Sequence, residues 1–248
     1  MRYFVKLAFH GTPFLGWQIQ AQESTIQGVM EHAFLLHLKE PVEVTGCGRT
    51  DTGVHAKCFY AHFDTSQELS KEELTQLIHK LNSFLPNEIV IYDIFPVTND
   101  LHARFSAESR TYRYYVSTAK NPFNFAFSYR VYEKLNLPLM NEAAQRLLET
   151  DDFTSFSKLH TQVNNNRCHV TEAFWKNEDE VYVFQITANR FLRNMVRAIV
   201  GTLLLVGKEK ITIADFQSII DAKDRSQAGI SAPAHALFLE NVRYPAIQ

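Results

Sequence analysis

Strand-like and helix-like periodicities alternate along this chain in the order βαββαβ, and the order can be read a second time with one helix added. In the first half, residues 3–9 read as a strand. Residues 25–39 read as a helix with Ile26, Val29, Met30, Ala33 and Leu36 or His37 on one face, opened by the capping box Ser24-x-x-Gln27. Residues 42–47 and 58–64 follow as strands, 70–81 as a helix opened by Ser70-x-x-Glu73, and 88–97 as a strand. In the second half, 109–118 is a β-rich run and 138–149 a helix with Pro138 near its first turn. Residues 167–176 and 180–187 pair across the turn-like Asn177-Glu178-Asp179. A helix over 191–205 stops near Gly207, another spans 213–222, and 236–244 is a closing strand.

The repeat is one of topology, since no sequence identity links the halves. A chain of 248 residues is long enough for two such units, each able to bury its own core. The fold class expected is α+β: two ferredoxin-like, split-βαβ domains over 1–105 and 106–248, with antiparallel sheets and a basic cleft between them.

Composition narrows the function. With 46% hydrophobic and 21% charged residues, 9 Gly and 8 Pro, the chain is neither disordered nor low-complexity. No apolar run approaches the length of a membrane helix; the longest candidate, 199–206, is far too short. Lys6 interrupts the apolar N-terminus and no small-residue cleavage site follows, so a soluble, unsecreted protein is expected. Three cysteines, Cys47, Cys58 and Cys168, form no disulfide framework and fit a reducing cytoplasm.

The net charge of −2 taken alone argues against a partner held by its phosphates. Its distribution does not. Windows 44–63, 109–132, 153–171 and 181–208 hold 12 of the 25 Lys and Arg but one of the 27 Asp and Glu. One face can therefore be basic on an acidic protein, an arrangement that draws in a polyanion and lets it go.

Three stretches could carry chemistry. Gly46-Cys-Gly-Arg-Thr-Asp-Thr-Gly-Val-His55 has three glycines after a strand, a backbone able to turn sharply with Arg49 and Asp51 at a sheet edge. A plain hairpin with Asp51 in an Asx turn reads the same residues. Against that reading, Asp51 is the sole acid between residues 44 and 63, and nearby Arg49 and Lys57 favour the ionised carboxylate that a nucleophile requires.

In Arg110-Thr-Tyr-Arg-Tyr-Tyr-Val116, strand alternation puts Arg110, Tyr112 and Tyr114 on one face, a pattern suited to phosphates beside stacked bases or simply to ordinary β-formers. Around Asn189-Arg-Phe-Leu-Arg-Asn-Met-Val-Arg197, a helical repeat brings Arg190, Arg193 and Arg197 within about 60° of each other. Leu192, Met195, Val196, Ile199 and Leu203 fill the opposite side, and no acid stands at i±3 or i±4 of the arginines. A solvated surface helix is the alternative.

Cys47, His55, Cys58 and His62 lie within 16 residues, but the C-x7-H-x2-C-x3-H spacing lacks the close cysteine pair of a zinc site. No metal is expected there, and the histidines read as packing or hydrogen-bonding groups. No nucleotide-binding or acyl-transfer motif occurs.

At Gly48-Arg-Thr-Asp-Thr-Gly-Val-His-Ala56 the chain resembles the tRNA pseudouridine synthase A family. Further segments resemble the family in order: Gly11-Thr-Pro-Phe-Leu-Gly-Trp-Gln18, Thr25-Ile-Gln27, His102-Ala-Arg-Phe-Ser106, Tyr112-Arg-Tyr114, Asp152-Phe-Thr-Ser-Phe156, Phe191 to Arg197, Gly201-Thr-Leu203, and Ala232-Pro-Ala234 with Leu237. The resemblance implies that Asp51 is the catalytic aspartate, Tyr112 stacks on the target uracil, Arg197 holds the Asp51 carboxylate, Arg49 helps open the site around a flipped base, and Leu237 walls the pocket. Arg110 and Arg193 join them as candidate substrate-binding residues. It further implies isomerisation of uridine to pseudouridine in the anticodon stem and loop of tRNA, by a homodimer without cofactor or metal. Three positions depart from the family pattern: His10 where Asp commonly precedes Gly-Thr, Thr52 where Ala is usual, and Ala236 where Gly commonly precedes Leu. A non-catalytic RNA-binding protein, or a paralogue with a shifted RNA target, is the rival reading.

Overall fold

The computed structural model describes residues 1–21, 24–158, 165–245 and 247. The chain divides into two compact units, Met1–Glu108 with Leu239–Gln248, and Ser109–Phe238.

The first unit contains β1 (Arg2–Phe9), α1 (Ile26–Leu38), β2 (Thr45–Gly46), β3 (His55–Asp64), α2 (Lys71–Phe84) and β4 (Ile89–Val97). This is the expected βαββαβ order. Strand β1 pairs antiparallel with both β3 and β4, and β2 pairs with β3 at Thr45↔His62. Period-2 alternation sorts the side chains. Tyr3, Val5 and Leu7 stand opposite Phe63, Ala61 and Phe59, all buried. Helix α1 caps that side through Phe34, whose ring lies 4.5 Å from Phe63. On the other side Phe4 is fully buried, with Phe95 6.1 Å and Tyr244 5.4 Å from its ring. Helix α2 has the expected Ser70/Glu73 capping box and buries Leu74, Leu77 and Leu81.

Three local expectations fail here. Helix α1 is capped by Thr25, which accepts from the Gly28 amide at 3.3 Å, and not by Ser24. The Gln27 side chain is taken by the Ile19 amide and Glu31 instead. Strand β2 is two residues long where six were expected, and β3 begins three residues early, at His55.

The second unit contains β5 (Ser109–Ser117), β6 (Tyr129–Arg130), α3 (Leu137–Gln145), β7 (Val170–Glu178), β8 (Val181–Ala188), α4 (Met195–Gly207) and α5 (Ile213–Ala222). Strand β8 pairs antiparallel with β5 and β7, and β6 runs parallel beside β5. The turn between β7 and β8 places Asp179 and Glu180 at φ 44° and 69°, one residue later than expected. Helix α3 is tied to β7 by Asn141, which accepts from the Trp175 amide at 2.7 Å and donates to its carbonyl at 3.0 Å. A 3-10 turn, Arg146–Glu149, extends α3 to the predicted end.

Helix α4 corrects another expectation. It begins at Met195, not near 191, because Asn194 adopts φ 66° and the Met195 amide bonds back to Leu192. Arg190 and Arg193 therefore precede the helix and share no helical face with Arg197. Eleven of its thirteen residues are buried, so it is a core helix and not a surface one.

Strand β9 (Leu237–Arg243) closes the chain beside β3. This is why residues from Leu239 onward group with the first unit, where the sequence had assigned them to the second. The Tyr244 hydroxyl donates to the Ala103 carbonyl, and the Glu108 amide donates to the Arg243 carbonyl at 2.9 Å. Part of the basic window 153–171, residues 159–164, lies outside the described residues. Among those described, no helix is long and apolar enough to cross a membrane.

Candidate active site

In the first unit the site is a loop and its buttress. Residues 47–54 leave β2 and return to β3 without regular structure, with Asp51 half-buried, Arg49 exposed and Gly53 at φ 79°. A second segment, Gly11 to Trp17, lies directly against this loop. Gly16 has φ 85°, and a Cβ on it would sit 2.3 Å from the Thr50 carbonyl oxygen, so only glycine allows the two backbones to approach. The Trp17 amide donates to that same carbonyl at 3.4 Å. The Trp17 ring stacks on Phe59 of β3 at 4.2 Å, anchoring the buttress in the core. At the far end of the loop the buried His55 accepts from the Gly11 amide at 3.0 Å through Nδ1, which fixes that nitrogen as unprotonated. The peptide that carries Asp51 is thus held on both sides.

His55 and His62 serve packing and hydrogen bonding. His62 accepts from the Ala103 amide at 3.2 Å, and burial, with Arg2 and His102 nearby, pushes its pKa down to about 4. Among the described residues, no group of three or more His, Cys, Asp or Glu is placed to hold a metal.

The second unit gathers the other candidates. Strand β5 carries Arg110 and Tyr112, both half-buried, and the fully buried Tyr114. Phe191 meets the Tyr112 ring edge-on at 5.0 Å, and Arg110 donates to the Asn189 carbonyl at 2.8 Å. These two contacts fix a ring and a guanidinium beside each other on the strand.

Arg197, in the first turn of α4, donates from Nε to the Ala232 carbonyl at 2.7 Å, while the Ala232 amide donates back to the Arg197 carbonyl at 2.9 Å. Gly201, one turn on, permits this; a Cβ there would meet the Ile230 carbonyl oxygen at 1.9 Å. The Tyr114 hydroxyl donates to the neighbouring Pro233 carbonyl at 2.8 Å. Burial pushes the Tyr114 phenol up, and the Arg197 charge acts against that rise. Leu237, 5% exposed, follows on the same segment. Arg193 is exposed, and its carbonyl accepts from the Lys158 amide. The second unit therefore holds Arg110, Tyr112, Arg193, Arg197 and Leu237, and the first holds Arg49 and Asp51.

Residues 143–245 match the family model described as tRNA pseudouridine synthase. The chain is 51% identical over 244 residues to tRNA pseudouridine synthase A of Parabacteroides distasonis, covering 98% of this chain and 96% of that one. It is 52% identical over 247 residues to the Bacteroides thetaiotaomicron protein of the same name, covering 98% and 91%. The Anoxybacillus flavithermus protein of that name is 39% identical over 240 residues, covering 96% of each. The chain belongs to the tRNA pseudouridine synthase A family.

Within this synthase family member, the three departures are absorbed locally. His10 stacks on His55 at 4.7 Å between ring centroids. Ala236 is fully buried in a 3-10 turn ahead of Leu237, and Thr52 is exposed. The motif Asp152 to Phe156 is a structural tie: Asp152 accepts from the Thr154 amide and hydroxyl and pairs with Lys223 at 3.2 Å. The sequence alone assigns no task to Gly16, Trp17 or Phe191, which the structure places against the Asp51 loop and the Tyr112 ring. The signal for Gly16 was a lone glycine ahead of a tryptophan, which does not reveal its partner 34 residues on.

Proposed function

We propose that this chain isomerises uridine to pseudouridine in the anticodon stem and loop of tRNA. The observation that carries the reading is the 51% identity, over nearly the whole of both chains, to a protein named tRNA pseudouridine synthase A. In this reaction the N1–C1′ glycosidic bond breaks, the uracil turns in place, and C5 bonds to C1′. The C5 hydrogen leaves as a proton and N1 takes one up, so the product is an isomer and no redox partner is needed.

In this reading Asp51 supplies the carboxylate, as a nucleophile or as a base at the sugar; both routes need it ionised and aimed. The buttressed loop supports that role, because a carboxylate on a held peptide loses little freedom when substrate arrives. Arg197 serves as its cationic partner, with the terminal guanidinium nitrogens oriented by the Nε bond to Ala232. Tyr112, steadied by Phe191, stacks on the target uracil, Leu237 walls the uracil site, and Arg49 helps open the site around the flipped nucleotide. Arg110 and Arg193 take phosphates. The unstacking that flipping requires costs a few kcal/mol, which stacking on an aromatic ring offsets.

The same proposal reads both units as ferredoxin-like domains flanking a basic cleft, and the working protein as a cytoplasmic homodimer. The strand order β4-β1-β3 with β2 beside β3 supports the first part for Met1–Glu108. None of these roles calls on a metal or cofactor. Chemical mapping of pseudouridine in an unmodified tRNA transcript after incubation with the protein tests the reading. Product confined to the anticodon stem and loop is expected; product only elsewhere would assign a different RNA target.

A further inference from the structure

Between Glu108 and Glu133 the chain has no acid, and its four bases, Arg110, Arg113, Lys120 and Arg130, share the stretch with an unusual set of exposed rings. Phe123 is 92% exposed, Phe125 72% and Tyr132 80%. Three large rings this open to water within residues 123–132 gather exposed apolar surface on one segment, the kind of surface that marks an interaction site. The loop is not loose. The Asn121 side chain accepts from the Phe123 amide at 2.9 Å, the Phe127 amide bonds back to the Asn124 carbonyl at 2.9 Å, and the Ser128 hydroxyl donates to the same carbonyl at 3.0 Å. These turns, with Phe127 turned toward Phe238, hold Phe123 and Phe125 outward. The Arg130 guanidinium lies 4.6 Å from the centre of the Tyr132 ring, a cation-π ledge at the end of the same loop.

We propose that this loop, residues 120–132, is a second RNA-binding surface, on which unpaired bases of the tRNA substrate stack. The proposal rests on the reading of the chain as a tRNA-modifying enzyme and extends it to a surface that the isomerisation itself does not use. Two observations favour RNA over a second copy of the chain. The charge is complementary to phosphate: no acid lies within the loop, and Glu133 at its border is engaged by Lys208 at 3.0 Å and Lys210 at 3.6 Å. The rings are also splayed. Among the described residues neither Phe123 nor Phe125 contacts another ring, whereas a protein interface is built around a packed apolar centre. Separate rings alternating with amides and bases suit sequence-tolerant stacking of single-stranded nucleotides.

The test compares the full-length protein with Phe123→Ala/Phe125→Ala, Phe123→Leu/Phe125→Leu and Phe123→Trp/Phe125→Trp. All three change side chains that are largely exposed, 92% at Phe123 and 72% at Phe125. Binding of an unmodified tRNA transcript is titrated by filter retention over a salt series, and each protein is sedimented at the same concentrations. The expected result is a loss of affinity of about tenfold or more in both the Ala and the Leu variants, retention in the Trp variant, an unchanged salt slope and unchanged sedimentation. Unchanged affinity in the Ala variant overturns the proposal. So does a loss that Leu fully restores, or one that tracks a shift to a smaller species, since either assigns the surface to contact between copies. Pseudouridine formation by the wild type is measured alongside. Its presence with unaltered binding in the variants defeats this proposal alone, and its absence defeats the functional reading independently of what the rings do.

Discussion

Replacing Gly16 by alanine should displace the Asp51 loop without touching any group that could react. The added Cβ would lie 2.3 Å from the Thr50 carbonyl oxygen, 3.2 Å from the Asp51 carbonyl carbon and 3.3 Å from the Thr50 carbonyl carbon. All three are backbone atoms, so no side chain can swing aside. Relief requires the loop to retreat by about 1 Å, which stretches the Trp17–Thr50 hydrogen bond, and a shift of that size costs about a hundredfold in rate when it moves a catalytic group. Holding alanine at φ 85° adds about 1–2 kcal/mol of backbone strain, for a total loss of stability of about 2–4 kcal/mol. Gly48 is the internal control. It sits in the same loop, but a Cβ there meets nothing within 4 Å, so Gly48→Ala should stay within about 0.5 kcal/mol of wild type or be slightly more stable. Urea unfolding gives the stabilities, and single-turnover pseudouridine formation at saturating enzyme gives the rate. If Gly16→Ala matches wild type in both, or if Gly48→Ala is equally damaging, the buttress does not position Asp51.

Under the proposed role of Asp51, in which its carboxylate acts on the glycosidic bond and not on the backbone phosphates, Asp51→Ala should form no product while tRNA affinity stays within about tenfold, or 1.4 kcal/mol; a Kd titration beside a product assay separates the two. Tyr114→Phe removes the donor to the Pro233 carbonyl and should cost about 1–3 kcal/mol in urea unfolding, with a loss below about 0.5 showing that the carbonyl finds another partner. His62 binds its proton less readily when folded, at about 4 against an ordinary 6.5, so the unfolded chain takes up more protons between those values. Stability from this residue is complete above about pH 6.5 and lost as pH falls toward 4, by roughly 2–3 kcal/mol. His62→Asn should flatten that part of the stability curve, and an unchanged slope would place the acid sensitivity elsewhere.

The elements with a strong period or a self-contained cap were legible from sequence. The Ser70/Glu73 box opens α2 as expected, and α5 spans Ile213–Ala222 as read. Segments decided by distant partners were not. Helix α4 starts late because Asn194 turns left-handed and its side chain donates to the Ser231 hydroxyl, 37 residues away. Strand β2 lacks the expected residues 42–44 because the Val44 amide donates to the Glu31 carboxylate of α1 at 2.9 Å and not to a neighbouring strand. Among the candidate residues, the types and spacing of Arg49 and Asp51 in the first unit and of Tyr112 and Arg197 in the second were visible as motifs. What orients them was not, since the Thr50 carbonyl under Gly16 and the Ala232 carbonyl under Arg197 are backbone groups that carry no sequence signature.

Forming the C5–C1′ bond must expel the hydrogen at C5. Tritium release from a tRNA transcript made with uridine tritiated at C5, wild type beside Asp51→Ala, therefore reads the proposed reaction directly. Release by the wild type, with none from Asp51→Ala at the same bound fraction, is the predicted result. Equal release from both would remove Asp51 from the chemistry, and no release from either, with tRNA still bound in a salt-dependent way, would leave a protein that holds tRNA without transforming it.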